Sequence, residues 1–90
     1  RKSIKWYEAQ GYVCERPIRT RFNPRKDFFN LFDGCCIKED DAVLFQVKSN
    51  YCPKKVIEGI KNFKKCPPFV RKEIHIWIDR KKEPKIIRVE

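Results

Sequence analysis

The chain has 90 residues, 41% hydrophobic and 13% aromatic, enough for one small core over 1–90 and too apolar for a disordered segment. No run approaches the ~20 apolar residues that span a bilayer, and the first residues carry no leader pattern, so the expectation is a cytoplasmic protein without a membrane partner. The charged fraction is 38% and the formal net charge +10, an excess that on so small a fold points to a polyanionic partner, nucleic acid first.

"SIKWYEAQ" (3–10) reads as a helix, with Ser3 as cap, Ile4, Trp6 and Tyr7 on its apolar side and Gly11 as its stop. "YVCERPI" is a short strand ended by Pro17. "RTRFNPRKDFFN" is a loop by its Asn23-Pro24 turn chemistry, and Arg19, Arg21, Arg25 and Lys26 make it strongly basic. "LFDGCCI" and "AVLFQVKS" have strand composition. The polar "KEDD" between them predicts a four-residue hairpin loop.

"PKKVIEGIKNFKK" places Val56, Ile57, Ile60 and Phe63 on one helical face, with Pro53 opening the helix. Lys54, Lys55, Lys61, Lys64 and Lys65 lie on its outer side. "EIHIWID" alternates, with Ile74, Ile76 and Ile78 on one face and His75, Trp77 and Asp79 on the other. The expected role of His75 is packing against a helix. "KIIRVE" is a last strand, an edge hairpin partner. The predicted order αβββαββ describes one mixed α/β domain, a central sheet with helices packed on it.

The five cysteines are Cys14, Cys35, Cys36, Cys52 and Cys66. With no CxxC and a single histidine they do not suggest a zinc site. Cys52 and Cys66 flank a helix, which at ~1.5 Å rise per residue separates them beyond the ~7 Å a disulfide allows. The expectation is reduced, mostly buried thiols.

Three polar residues in the predicted hairpin stand out. Side chains alternate along a strand, so Gln46 and Lys48 share a face. With Ile37 opposite Ala42, counting outward puts Cys35 opposite Leu44 and Asp33 opposite Gln46. A slip of two residues keeps that face, whereas a slip of one destroys it. Asp33 and oxygens near Gln46 suit a hard divalent cation such as Mg²⁺. Such an ion would polarise a phosphate and acidify a bound water, and Lys48 would stabilise developing negative charge. The plain alternative is a half-exposed sheet face with a loose Asp33–Lys48 pair.

"FNLFDGCCIKEDDAVLFQVKSN" resembles the core of the PD-(D/E)xK nucleases, in which an Asp on one hairpin strand precedes D/E-x-K on the next. Asp33 matches the first acid, Gln46 the second position and Lys48 the lysine. Some branches of the superfamily carry Gln at that second position. "RKDFFNLFD" is similar to the R-x-D-x-F-x-x-x-D lead-in of small phage and archaeal resolvase-like members. The match covers roughly residues 4–66 in αβββαβ order. The resemblance implies a restriction-endonuclease-like core and an Mg²⁺- or Mn²⁺-dependent endonuclease acting on DNA. It implies branched or duplex substrates as in Holliday junction resolution, a homodimer, an archaeal, bacterial or viral origin, and no small-molecule cofactor.

Asp33, Gln46 and Lys48 are then the expected catalytic residues. Asp33, Gln46 and the Val47 backbone are the expected metal ligands, with Glu8 and Asp27 as further candidates. Many relatives place a glutamate earlier on the first helix, a position that here falls before Arg1. Arg19, Arg21, Arg25, Lys26, Lys54, Lys55, Lys61, Lys64 and Lys65 are the expected DNA contacts. Lysine-rich contacts of this kind position nucleic acid without reading its bases. The competing readings are a nuclease-fold DNA-binding module with little catalysis, and a basic α/β RNA- or ribosome-associated protein. The last would have Asp33 and Lys48 on opposite faces.

Overall fold

The computed structural model of the protein describes residues 2–17, 28, 31–64 and 66–89. Two helices and five strands run in the order α1 (Lys2–Glu8), β1 (Val13–Glu15), β2 (Gly34–Lys38), β3 (Asp41–Ser49), α2 (Lys54–Lys61), β4 (Val70–Trp77) and β5 (Lys85–Val89). The element order is the one predicted. The strands form one mixed sheet, ordered β1-β2-β3-β4-β5, in which only the β3–β4 pair is parallel.

The parallel pair requires a crossover, and α2 supplies it. Ile60 of α2 seals a core with Phe32, Leu44, Ile74, Ile76 and Val89 on one face of the sheet. On the other face Tyr7 of α1 packs with Tyr12, Cys36, Val43 and Phe45. The molecule is therefore three layers, helix, sheet and helix. Side-chain alternation along β3 sends Leu44, Gln46 and Lys48 toward α2 and Val43, Phe45 and Val47 toward α1.

The hairpin turn is tighter than predicted. Lys38 pairs with Asp41, so the loop is Glu39-Asp40 rather than all of KEDD. The register is unaffected, because closing one more pair changes no other. Ile37 faces Ala42 and Cys35 faces Leu44, as counted from the sequence. β4 starts at Val70, earlier than the alternating segment, because Val70 pairs with Ala42 of β3. α2 is shorter than its apolar pattern. Asn62 caps it, and the Lys72 ammonium donates to the carbonyl of Ile60 in the last turn (3.4 Å) and to that of Phe63 just past the end (3.2 Å).

The expectation of reduced thiols fails at two positions. Cys14 and Cys36 are directly opposed across β1 and β2, with Cα atoms 4.1 Å apart, and form a disulfide. Their pairing depends on the register of β1 against β2, which no local sequence signal specifies. Cys35, Cys52 and Cys66 are free thiols. Burial pushes the Cys35 thiol up, and nearby Cys66 adds to the effect.

Candidate functional site

Asp33 stands where the β2–β3 ladder ends. The last regular pair is Gly34 with Phe45. Beyond it the Asp33 N–H donates to the Phe45 carbonyl at 2.7 Å, while its carboxylate Oδ2 accepts the Val47 N–H at 2.7 Å. Asp33 thus brackets Gln46 rather than simply opposing it. The Gln46 Oε1 accepts the same Val47 N–H at 3.2 Å. Two side-chain oxygens, one anionic and one neutral, therefore converge on one backbone nitrogen. Val47 takes part through its N–H, whereas a role as metal ligand would use its carbonyl.

Gly34 makes this approach feasible. A Cβ there would lie 2.6 Å from Cε1 of Phe45. Phe45 is buried and its ring packs against those of Tyr7 and His75. The absent side chain lets β2 sit against the Phe45 ring and carry Asp33 up to Val47.

Gln46 is buried, and Lys48 is half-buried two residues on along the same face. That face is the α2 face, and the site lies at the end of the sheet where β3 stops and α2 begins. Lys54 and Lys55, both exposed on the first turn of α2, lie at this end. Lys61 and Lys64 are exposed at the far end of the helix, toward the β2–β3 turn. Arg19, Arg21, Arg25, Lys26, Asp27 and Lys65 lie outside the described residues.

Glu8 is not brought to Asp33. It ends α1, exposed, and the chain then enters β1 at Val13, which pairs with Ile37 beside the hairpin turn. That is the opposite end of the sheet from Asp33. Among the described residues, no group of three or more His, Cys, Asp or Glu side chains gathers to hold a metal ion. Among the described residues, the donor set at the site is one carboxylate and one amide oxygen. Both are hard donors suited to Mg²⁺ or Mn²⁺, with one carboxylate fewer than a two-acid site.

Asn50, just past β3, ties the ends of the two parallel strands together. It adopts a left-handed backbone (φ 62°) that asparagine tolerates. Its N–H donates to the Trp77 carbonyl at 2.8 Å, and its side chain exchanges hydrogen bonds with Asp79. Tyr51 beside it is exposed.

The other face holds a buried polar chain. Trp77 Nε1–H donates to Ser3 Oγ (2.8 Å), and Ser3 lies 2.9 Å from His75 Nδ1. His75 Nε2 lies 2.7 Å from the Tyr7 hydroxyl, which donates to Glu73 Oε1 at 2.7 Å. A carboxylate only accepts and an indole only donates, so the direction of every bond follows. His75 is the neutral Nε2–H tautomer, accepting from Ser3 and donating to Tyr7.

Arg71 closes the chain, donating to Glu73 Oε2 at 2.9 Å and to Asp41 Oδ2 at 2.7 Å, with Tyr12 bonded to both Asp41 and Arg71. Burial pulls His75 down to about 4. Burial and then Glu73 push Tyr7 far up, and the Tyr12 hydrogen bond, helped by Arg71, holds Asp41 low. The expected packing of His75 on a helix is what the structure shows. The extent of the network was not predicted, although alternate polar positions of β4, Arg71, Glu73, His75 and Trp77, were its visible signal.

Set against protein-family models, curated proteins and solved structures, the chain matches none of them. Among the described residues, no helix is long and apolar enough to cross a membrane.

Proposed function

We propose that the protein is a metal-dependent endonuclease that hydrolyses DNA phosphodiester bonds and prefers branched over linear duplex DNA. The observation that supports this reading is the convergence of the Asp33 carboxylate and the Gln46 amide oxygen on the Val47 N–H, with Lys48 on the same sheet face. Asp33 and Gln46 would hold Mg²⁺ or Mn²⁺, and the ion would supply Lewis acidity toward the scissile phosphate. Lys48, on the same strand face, would offset negative charge that develops on the phosphate. Lys54 and Lys55, at the same end of the sheet, would bind flanking phosphates, and a homodimer would present two such sites to a branched duplex. The resemblance to PD-(D/E)xK resolvase-like nucleases gives the geometry this chemistry.

A second reading is a DNA-binding module of the same fold with little catalysis. The specific observation in its favour is the single carboxylate at the site among the described residues. Cleavage of branched, nicked and linear DNA with Mg²⁺ or Mn²⁺ separates the two. The endonuclease reading expects Asp33→Ala to lose at least about a hundredfold in rate, the scale on which loss of one group stabilising the transition state is felt. Equal activity of Asp33→Ala and wild type would overturn it. Calorimetry with Mn²⁺ adds a direct check, since binding that vanishes in Asp33→Ala rejects the second reading.

A further inference from the structure

On the α1 face, away from Asp33, an open cleft of about 470 Å³ is lined by Lys2, Lys5, Trp6, Trp77, Lys81 and Lys82, with Ala9 on its wall. Its size falls in the ~300–1,000 Å³ range of ligand sites. Four of the lining side chains are lysines and none is acidic. The chain has only two tryptophans, and both are here. Neither is wholly covered, so each offers aromatic surface to the cleft. Trp77 is held by the bond from its indole N–H to Ser3, which fixes the ring as a platform. The ammonium of Lys2 sits 5.4 Å from the centre of that ring. Lys2 is exposed on a flexible stem, so it can swing from the ring to a phosphate.

We infer that this cleft binds single-stranded nucleic acid, with unpaired bases stacked on Trp77 and Trp6 and phosphates held by Lys2, Lys5, Lys81 and Lys82. The inference rests on the nucleic-acid part of the proposed function and not on the chemistry at Asp33. Three observations select this occupant. Lysines with no acid among them suit a polyanion. Aromatic faces add stacking, which single strands offer and an intact duplex hides. Both rings and all four ammonium groups line one shared open surface, so a single strand can make stacking and phosphate contacts there at once.

Position adds a fourth. Trp77 ends β4 and pairs with Ser49, the last residue of β3, one beyond Lys48. The cleft and the Asp33 site therefore open at the same end of the sheet, on opposite faces. Duplex bound over the α2 face could pass an unpaired strand around the β3 and β4 ends into the cleft. That is a means of preferring branched or frayed substrates.

Because both tryptophans line the cleft, intrinsic fluorescence reports on it directly. The test is titration of the protein with a short oligothymidylate, with duplex DNA and with phosphatidylserine vesicles, alongside a cleavage assay. We expect saturable quenching by oligothymidylate. Lys81→Glu with Lys82→Glu, and separately Trp6→Leu, should weaken it by about tenfold, the scale of one lost stacking or charge contact. The lysine pair is exposed, so that variant keeps the fold.

If wild type cleaves DNA while oligothymidylate leaves the emission unchanged, the cleft inference falls alone. If vesicles alter the emission and the oligonucleotide does not, the surface is a membrane-binding one and the inference is overturned. If Asp33→Ala cleaves like wild type while quenching persists, the nuclease reading falls and the cleft stands.

Discussion

At the scale of single residues, His75 and Gly34 make the sharpest predictions. The imidazole of His75 is fully buried and neutral, with its pKa near 4 in the fold against about 6.5 in an unfolded chain. Between those values the unfolded state binds the proton and the folded state does not. Stability is therefore complete above pH ~6.5 and declines as pH falls toward ~4, by up to about 3 kcal/mol. Urea denaturation at pH 7.5 and 4.5 measures this, and His75→Gln should flatten the dependence. At Gly34 the added methyl of Gly34→Ala meets the Phe45 ring. The expected cost is about 1–3 kcal/mol in urea midpoint data, and cleavage should fall as Asp33 shifts from Val47. Asp33, Gln46 and Lys48 could be singled out in the sequence because acid, amide and lysine are unusual inside strands. Their bracketing through Val47 could not, because it arises where the ladder breaks down at its last pair.

At the scale of elements, β1 and α1 are too short to persist by themselves. α1 has seven residues, below the ~12–15 at which an isolated helix is even marginal in water. It is held by Tyr7 in the core and by the Ser3–His75–Tyr7–Glu73 chain. β1 has three residues at the sheet edge, pinned by the Cys14–Cys36 disulfide. That bond closes a loop with a sequence separation of 22, for which chain entropy predicts a contribution of about 3 kcal/mol. Reduction, or Cys14→Ser with Cys36→Ser, should lower the thermal midpoint accordingly, read by circular dichroism. Hydrogen exchange should localise the loss to β1 and its partner β2. The helices and strands were legible in order because their apolar periodicities are strong. The ends of α2 and β4 were not, because Lys72 and the Val70–Ala42 pair decide them from elsewhere in the chain.

At the scale of the whole molecule, the net charge is +10, and two lysine-bearing surfaces, the start of α2 and the Trp6–Trp77 cleft, lie at one end of the sheet. Binding to duplex DNA should weaken steeply with salt. Plotted as log affinity against log salt, the slope should become shallower by about 0.9 for each phosphate contact removed. Lys54→Ala with Lys55→Ala should therefore change it by nearly two, whereas Lys61→Ala should change it little. Fluorescence anisotropy across a salt series makes the comparison.

The sequence by itself determined the mixed α/β architecture, the hairpin register and the sheet face shared by Gln46 and Lys48. All three follow from side-chain period and turn chemistry, which are local. Only the tertiary structure decided that Cys14 meets Cys36, that Glu8 lies at the far end from Asp33 and that both tryptophans share a lysine-lined cleft. Each of these depends on which strand lies beside which and on the direction in which α1 crosses the sheet. Those choices are made by packing between segments up to seventy or more residues apart, as between Ser3 and Trp77, and no local pattern in either segment encodes them.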